Sequence, residues 1–156
     1  MLDLRRFSFG GPAAIVTSMG LIVGLDAATV TKAAVVQSLL IIALADNLTD
    51  SLSVHIYQES ERLAERQAYR ITVANFFTRL LTSLSFVIIL LLSPMSVAVY
   101  ICVTWGFVLL SGLSYLLAKA RRVDAFTEIA KHSAIALTVI AVSKAIGAWV
   151  SILERS

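Results

Sequence analysis

Five apolar blocks, each long enough to cross a bilayer, follow one another along this chain of 156 residues. A helix needs roughly 20 residues to span the hydrocarbon core. Backbone exposed to lipid must also satisfy its own hydrogen bonds. A β-barrel would show short alternating segments, and these blocks are continuous. The expected fold is therefore an all-α integral membrane protein, a five-transmembrane-helix bundle. Composition agrees: 58% of the residues are hydrophobic and 15% charged. So little polar surface could not clothe a soluble core of this size. The length fits a single domain, 1–156.

The first block covers about 7–25, opened by Gly10-Gly11-Pro12, and Pro12 suits a first helical turn. No cleavable signal peptide is evident, so this helix is expected to stay. The second covers about 33–57 and, through helix formers with no breaker, extends to about 70. The third covers about 71–92 and stops at Ser93-Pro94. The fourth and fifth cover about 96–118 and 129–153, with the basic loop 119–124 between them.

Charge sets the expected orientation. Arg5 and Arg6, then Arg62, Arg66 and Arg70, then Lys119, Arg121, Arg122 and Lys131 all fall on one side of a five-helix bundle. Lys32 and Arg155 are left for the other. The positive-inside rule puts the first side in the cytoplasm, with the N-terminus cytoplasmic and the C-terminus outside. The basic residues flank apolar blocks, so the net charge of +3 reads as membrane orientation and calls for no nucleic acid. The lone Cys102 allows no internal disulfide. The expected setting is a multi-pass protein of the plasma (inner) membrane.

The second helix carries the chemistry. Asp46, Asp50, Ser53, Tyr57 and Glu61 share one narrow stripe at about 100° per residue. Two carboxylates deep in a membrane helix need a counter-charge, a cation, a proton or water. Oxygen ligands of this kind suit hard divalent cations; the other reading is a structural ion-pair network. Arg79 lies about eight residues into helix three, or ~12 Å deep at 1.5 Å per residue. That depth matches Asp50, so Arg79 is expected to pair with Asp50 or Asp46, with Asn75, Thr82 and Ser83 on the same face; snorkelling to the headgroups is the alternative. Lys144 in helix five is expected to neutralise Asp26 or Asp46, as a structural counter-ion or a tethered cation. Glu59, Glu61 and Glu65 at the mouth either draw cations in or lace a solvated helix with ion pairs to Arg62. His55 and His132 read as interfacial side chains. Ser143 with Gly147 and Gly20 with Gly24 have the four-residue spacing of close helix contacts, the second pair open to a dimer. Asn47-Leu48-Thr49 matches a glycosylation sequon but lies in a membrane block. Zinc spacings, phosphate loops and nucleophile elbows are absent, so an enzyme is not expected, and no cofactor is called for.

At helix two the sequence resembles the vacuolar iron transporter family, and the resemblance spans most of the chain. The run ALADNLTDSLSVHIYQESE is similar to that family's second helix, of the type S-M-x-x-G-E-Y-x-S-V. Matching on Ser53-Val54 puts Asp50 at the family's Glu and Asp46 at its Met. Ser18-Met19-Gly20-Leu21 resembles its N-D-G-L segment, with Met19 where the family has Asp. The family's long metal-binding insert is reduced here to about 59–70. The resemblance implies a homodimeric, proton-coupled transporter of Fe²⁺ or Mn²⁺, with divalent cation and protons as its partners in the lipid bilayer. Asp46 and Asp50 would be the metal ligands. Asp46, Asp50, Ser53, Glu59 and Glu61 together would handle metal or protons, and Arg79, Lys144 and Asp26 would act as charge partners. The rival reading is a non-transporting scaffold or partner subunit whose buried charges fix helix register.

Overall fold

A computed structural model describes residues 10–60 and 65–153, the side chains of Glu65 and Gln67 excepted. Every regular element in that range is an α-helix: α1 Gly11–Ala27, α2 Lys32–Ser60, α3 Glu65–Leu92, α4 Met95–Arg121 and α5 Ala125–Leu153. All but α1 have stretches long and apolar enough to cross a membrane, the mark of a multi-pass membrane protein. With 17 residues, α1 spans only about 25 Å. It is also the central helix, touching each of the other four. Met19 and Ile22 on α1 are fully buried. A short helix is tolerable there because protein, not lipid, surrounds it.

Helix ends follow local chemistry. The ring of Pro94 carries no N–H to continue α3, and Pro94 is extended as the N-cap of α4. Thr29 (φ 59°) and Arg122 (φ 56°) take left-handed conformations just past α1 and α4. Each then forms a paired closure: Thr29 N–H to the Asp26 carbonyl with Val30 N–H to Leu25, and Arg122 N–H to Lys119 with Val123 N–H to Ala118. Asp124 caps α5 by accepting from the Thr127 N–H at 2.7 Å. That cap starts α5 at Ala125, four residues earlier than the apolar block implies. Lys32 Nζ, at the start of α2, donates to the carbonyls of Leu91 and Ser93 at 3.2 and 2.9 Å. It thereby supplies the cation that the last turn of α3 lacks.

A second boundary differs from expectation. Residues 65–70 belong to α3, not to an extension of helix two. Good helix formers without a breaker run on both sides of this boundary, so the sequence carries no signal for where α3 begins.

The interior is unusually polar and the surface unusually apolar. Asn47, Ser51, Gln58, Asn75, Arg79, Ser83 and Ser114 are buried, whereas Leu92, Phe126, Tyr100 and many other large apolar side chains are exposed. Lipid outside and polar contacts inside account for both. On α2 the buried positions Val35, Leu39, Ala43, Asn47 and Ser51 advance in steps of four, as do Ala98 through Ala118 on α4. Each such step drifts about 40° at 100° per residue, so the buried stripe winds around the helix.

Small residues set the α1–α5 contact. Gly20 and Gly24 face Ser143, and a Cβ on Gly147 would overlap the Gly24 carbonyl. The two small-residue pairs noted in the sequence therefore pack against each other within one chain. Gly106 on α4 similarly makes room for the Met19 side chain.

Candidate functional site

The side chain of Arg79 sits between α2 and α3 with 4% of its surface exposed. A buried guanidinium needs partners for its five N–H groups, and α2 supplies most of them. Nε donates to Asn47 Oδ1 at 2.8 Å. One terminal nitrogen lies 3.2 Å from Asp50 Oδ2. The other donates to Asp46 Oδ2 in close contact. Asn75 Nδ2 reaches the same Asp50 oxygen at 3.1 Å. The Gly10 carbonyl closes the site from the α1 side, 3.5 Å from a guanidinium nitrogen. A Cβ on Gly10 would overlap the Asn75 amide and the Arg79 stem, so only glycine lets α1 begin here.

Helix spacing explains the grip. Asp46, Asn47 and Asp50 lie within little more than one turn of α2, and Asn75 and Arg79 are one turn apart on α3. The pairing therefore forms with both aspartates, and Arg79 does not snorkel. The cation is enclosed, while the Asp46 and Asp50 side chains remain 48% and 36% exposed. Two carboxylates share one guanidinium, so with every group ionised the cluster carries one surplus negative charge.

Below the cluster the seam stays polar. Ser51 and Gln58 are buried on α2, and on α3 Ala68 is buried and Thr72 half-buried. His55 is half-buried, and its Nε2 lies 3.5 Å from Glu59 Oε1. Glu59 itself is exposed.

Other expected site residues lie elsewhere. Ser53 is exposed and donates to the Thr49 carbonyl at 3.0 Å, and Tyr57 is exposed. Both leave the seam because its stripe winds around α2, whereas the expected stripe ran straight. Asn47, Ser51 and Gln58 take that face instead. The four-residue repeat Val35-Leu39-Ala43-Asn47-Ser51 is the sequence signal that finds the first two. Lys144 is exposed and makes no ion pair with Asp26, Asp46 or any other described residue. It is one position past Ser143, about 100° from the face that α5 packs on α1. Asp26 is exposed at the end of α1. Asn75 and Ser83 share the Arg79 face as expected, and Thr82 donates back to the Thr78 carbonyl. Glu61 and Arg62 lie outside the described residues, as does the side chain of Glu65. Among the described residues no three of His, Cys, Asp and Glu come together to hold a metal ion.

A second polar contact joins α4 to α5. Ser114 Oγ donates to the Leu110 carbonyl at 2.6 Å and lies 2.7 Å from His132 Nδ1. The hydroxyl has one proton and spends it on Leu110, so Nδ1 must be the donor to Ser114. At the same corner, Glu128 meets Lys131 at 3.0 Å and Arg121 at 3.7 Å. Hydrogen bonds from the Thr127 side chain and backbone hold the Asp124 carboxyl below its ordinary 3.8.

No family model, curated protein or solved structure matches this chain.

Proposed function

We propose that this protein is a small proton-coupled exchanger for a divalent cation of the Fe²⁺ or Mn²⁺ class. It would cross the bilayer five times with its N-terminus in the cytoplasm, in line with the resemblance to vacuolar iron transporters. The observation that carries the reading is the two-to-one ratio of Asp46 and Asp50 to the enclosed Arg79. A surplus negative charge inside a membrane protein is costly unless a proton or a cation neutralises it. Protonation of one carboxylate leaves a neutral cluster. A divalent cation bound by both carboxylates would displace that proton and the guanidinium together. Asn47 and the Gly10 carbonyl would still hold Arg79 after it let go. Carboxylate and amide oxygens are the right donors for a hard cation.

A second reading has its own support. Both carboxylates already touch Arg79, and no group of three ligating side chains forms among the described residues. On that reading the cluster only fixes the register of α2 against α3, in a scaffold or partner subunit. Metal uptake into proteoliposomes against a proton gradient separates the two. Exchange predicts flux that disappears in Asp46→Asn and Asp50→Asn. Flux that survives both substitutions ends the mechanism, and wild-type protein inert to every cation offered favours the scaffold.

A further inference from the structure

Among the described residues, five buried side-chain atoms have no hydrogen-bond partner: Asn47 Nδ2, Ser51 Oγ, His55 Nδ1, Gln58 Oε1 and Asn75 Oδ1. All belong to α2 or α3, the two helices that enclose Arg79. Asn47, Ser51, Gln58 and Asn75 are themselves at least nine-tenths buried. Buried polar groups in folded proteins are nearly always satisfied, by protein or by ordered water. Leaving five of them dry in one seam would oppose folding at every one.

Their spacing along α2 is regular. Asn47, Ser51, His55 and Gln58 follow one another at intervals of about one turn, covering about 16 Å from first to last at 1.5 Å per residue. One turn is about twice the distance between hydrogen-bonded waters, so one or two molecules would span each gap. The upper end reaches the cluster directly, because Asn47 also holds Arg79 and Asn75 also holds Asp50. At the lower end His55 turns Nε2 to the exposed Glu59 and leaves buried Nδ1 unpartnered.

We propose that the α2–α3 seam holds a file of water molecules, running from the Gln58 end of the two helices to the Asp46–Arg79–Asp50 cluster. The water satisfies the five unpartnered atoms and gives the cluster an aqueous connection to one side of the protein. Its use as the path by which protons reach the carboxylates rests on the exchange reading above. The file itself does not.

The test is water-to-protein magnetisation transfer by solid-state NMR on the full chain in lipid bilayers. The side-chain amides of Asn47, Gln58 and Asn75 are expected to gain signal from water almost as fast as exposed groups do. The backbone amide of Leu110, in the apolar interior, is expected to lag severalfold. Seam amides as slow as Leu110 would overturn the proposal. Ser51→Ala gives an independent check through stability. In a dry seam, deleting an orphaned hydroxyl stabilises the protein. In a wet one it removes a water ligand, leaves stability unchanged or lower, and slows transfer to Asn47. A clear gain in stability would therefore also overturn it. A wet seam in a protein without cation flux would end the exchange reading and leave the file standing; flux across a dry seam would do the reverse.

Discussion

Two seams of this bundle are built by opposite means. Between α1 and α5, side chains are removed until backbones touch: Gly20, Gly24, Ser143 and Gly147 meet with almost nothing between them. Between α2 and α3, side chains are long and polar, and a guanidinium reaches across to two carboxylates and an amide. In lipid no hydrophobic drive brings apolar helices together, so close packing and interhelical hydrogen bonds are the means available. A packing seam has one good arrangement. A hydrogen-bonded seam can exchange partners, because protons, water and cations are interchangeable with its own groups. On the proposed reading, α1–α5 gives support and α2–α3 the chemistry.

The sharpest way to break this comparison is Arg79→Leu. It leaves two carboxylates in the seam without their cation, and removing one partner of a buried ion pair typically costs 3–5 kcal/mol. Both aspartates are partly exposed, which screens them, so a loss of about 3 kcal/mol is expected. Reversible unfolding in mixed micelles measures it. Adding Asp50→Asn to Arg79→Gln should recover part of the loss. A double variant no more stable than either single one would show that the pair is not coupled.

The packing seam answers to volume instead. Gly147→Ala places a methyl against the Gly24 carbonyl and should cost about 1–3 kcal/mol, as overpacking does. Gly112→Ala on α4 meets nothing within 4 Å. It should be neutral or gain up to about 1 kcal/mol from helix propensity. Equal effects at the two glycines would deny α1–α5 its special role. The Gly147 variant should leave the Arg79 contacts intact.

These seams were unequally legible in the sequence. The apolar blocks place all five helices, because span length and continuity are strong signals. Arg79 finds its aspartates from depth alone, since rise per residue converts position into height. The face of α2 was harder. A straight stripe selects Ser53 and Tyr57, but packing against a crossing neighbour makes the buried face wind, and Asn47 and Ser51 lie on it. Lys144 misled for the complementary reason: a charge in a span implies a partner only if its helix turns that face inward, and α5 turns Ser143 and Gly147 inward instead. The start of α3 at Glu65 had no breaker to mark it.

Smaller effects test the corners rather than the seams. Thr29 is β-branched and left-handed, a conformation that costs an L-residue roughly 1–2 kcal/mol. Thr29→Gly should stabilise the α1–α2 corner by about 1 kcal/mol. Arg122→Gly should do about the same at the α4–α5 corner. Unfolding midpoints that fail to rise in either variant would mean that the wild-type side chain makes up for its strained backbone.

The mildest effect expected is a pH dependence at the start of α5. The Asp124 carboxylate accepts the Thr127 N–H, and the side-chain and backbone bonds of Thr127 hold its pKa below the ordinary 3.8. A depressed carboxyl pKa means that folding favours the ionised form. The contribution is therefore complete above the ordinary value and is lost as pH falls below it and through the folded value. Amide exchange at Thr127 should thus show weakening protection in that acid range, after correction for the intrinsic pH dependence of exchange, while amides near Leu110 show none. Asp124→Asn keeps a capping side chain without the charge, so it should preserve most of the protection and abolish its pH dependence. The same dependence persisting in Asp124→Asn would move its origin to Glu128, which contacts Lys131 and Arg121 one turn further along.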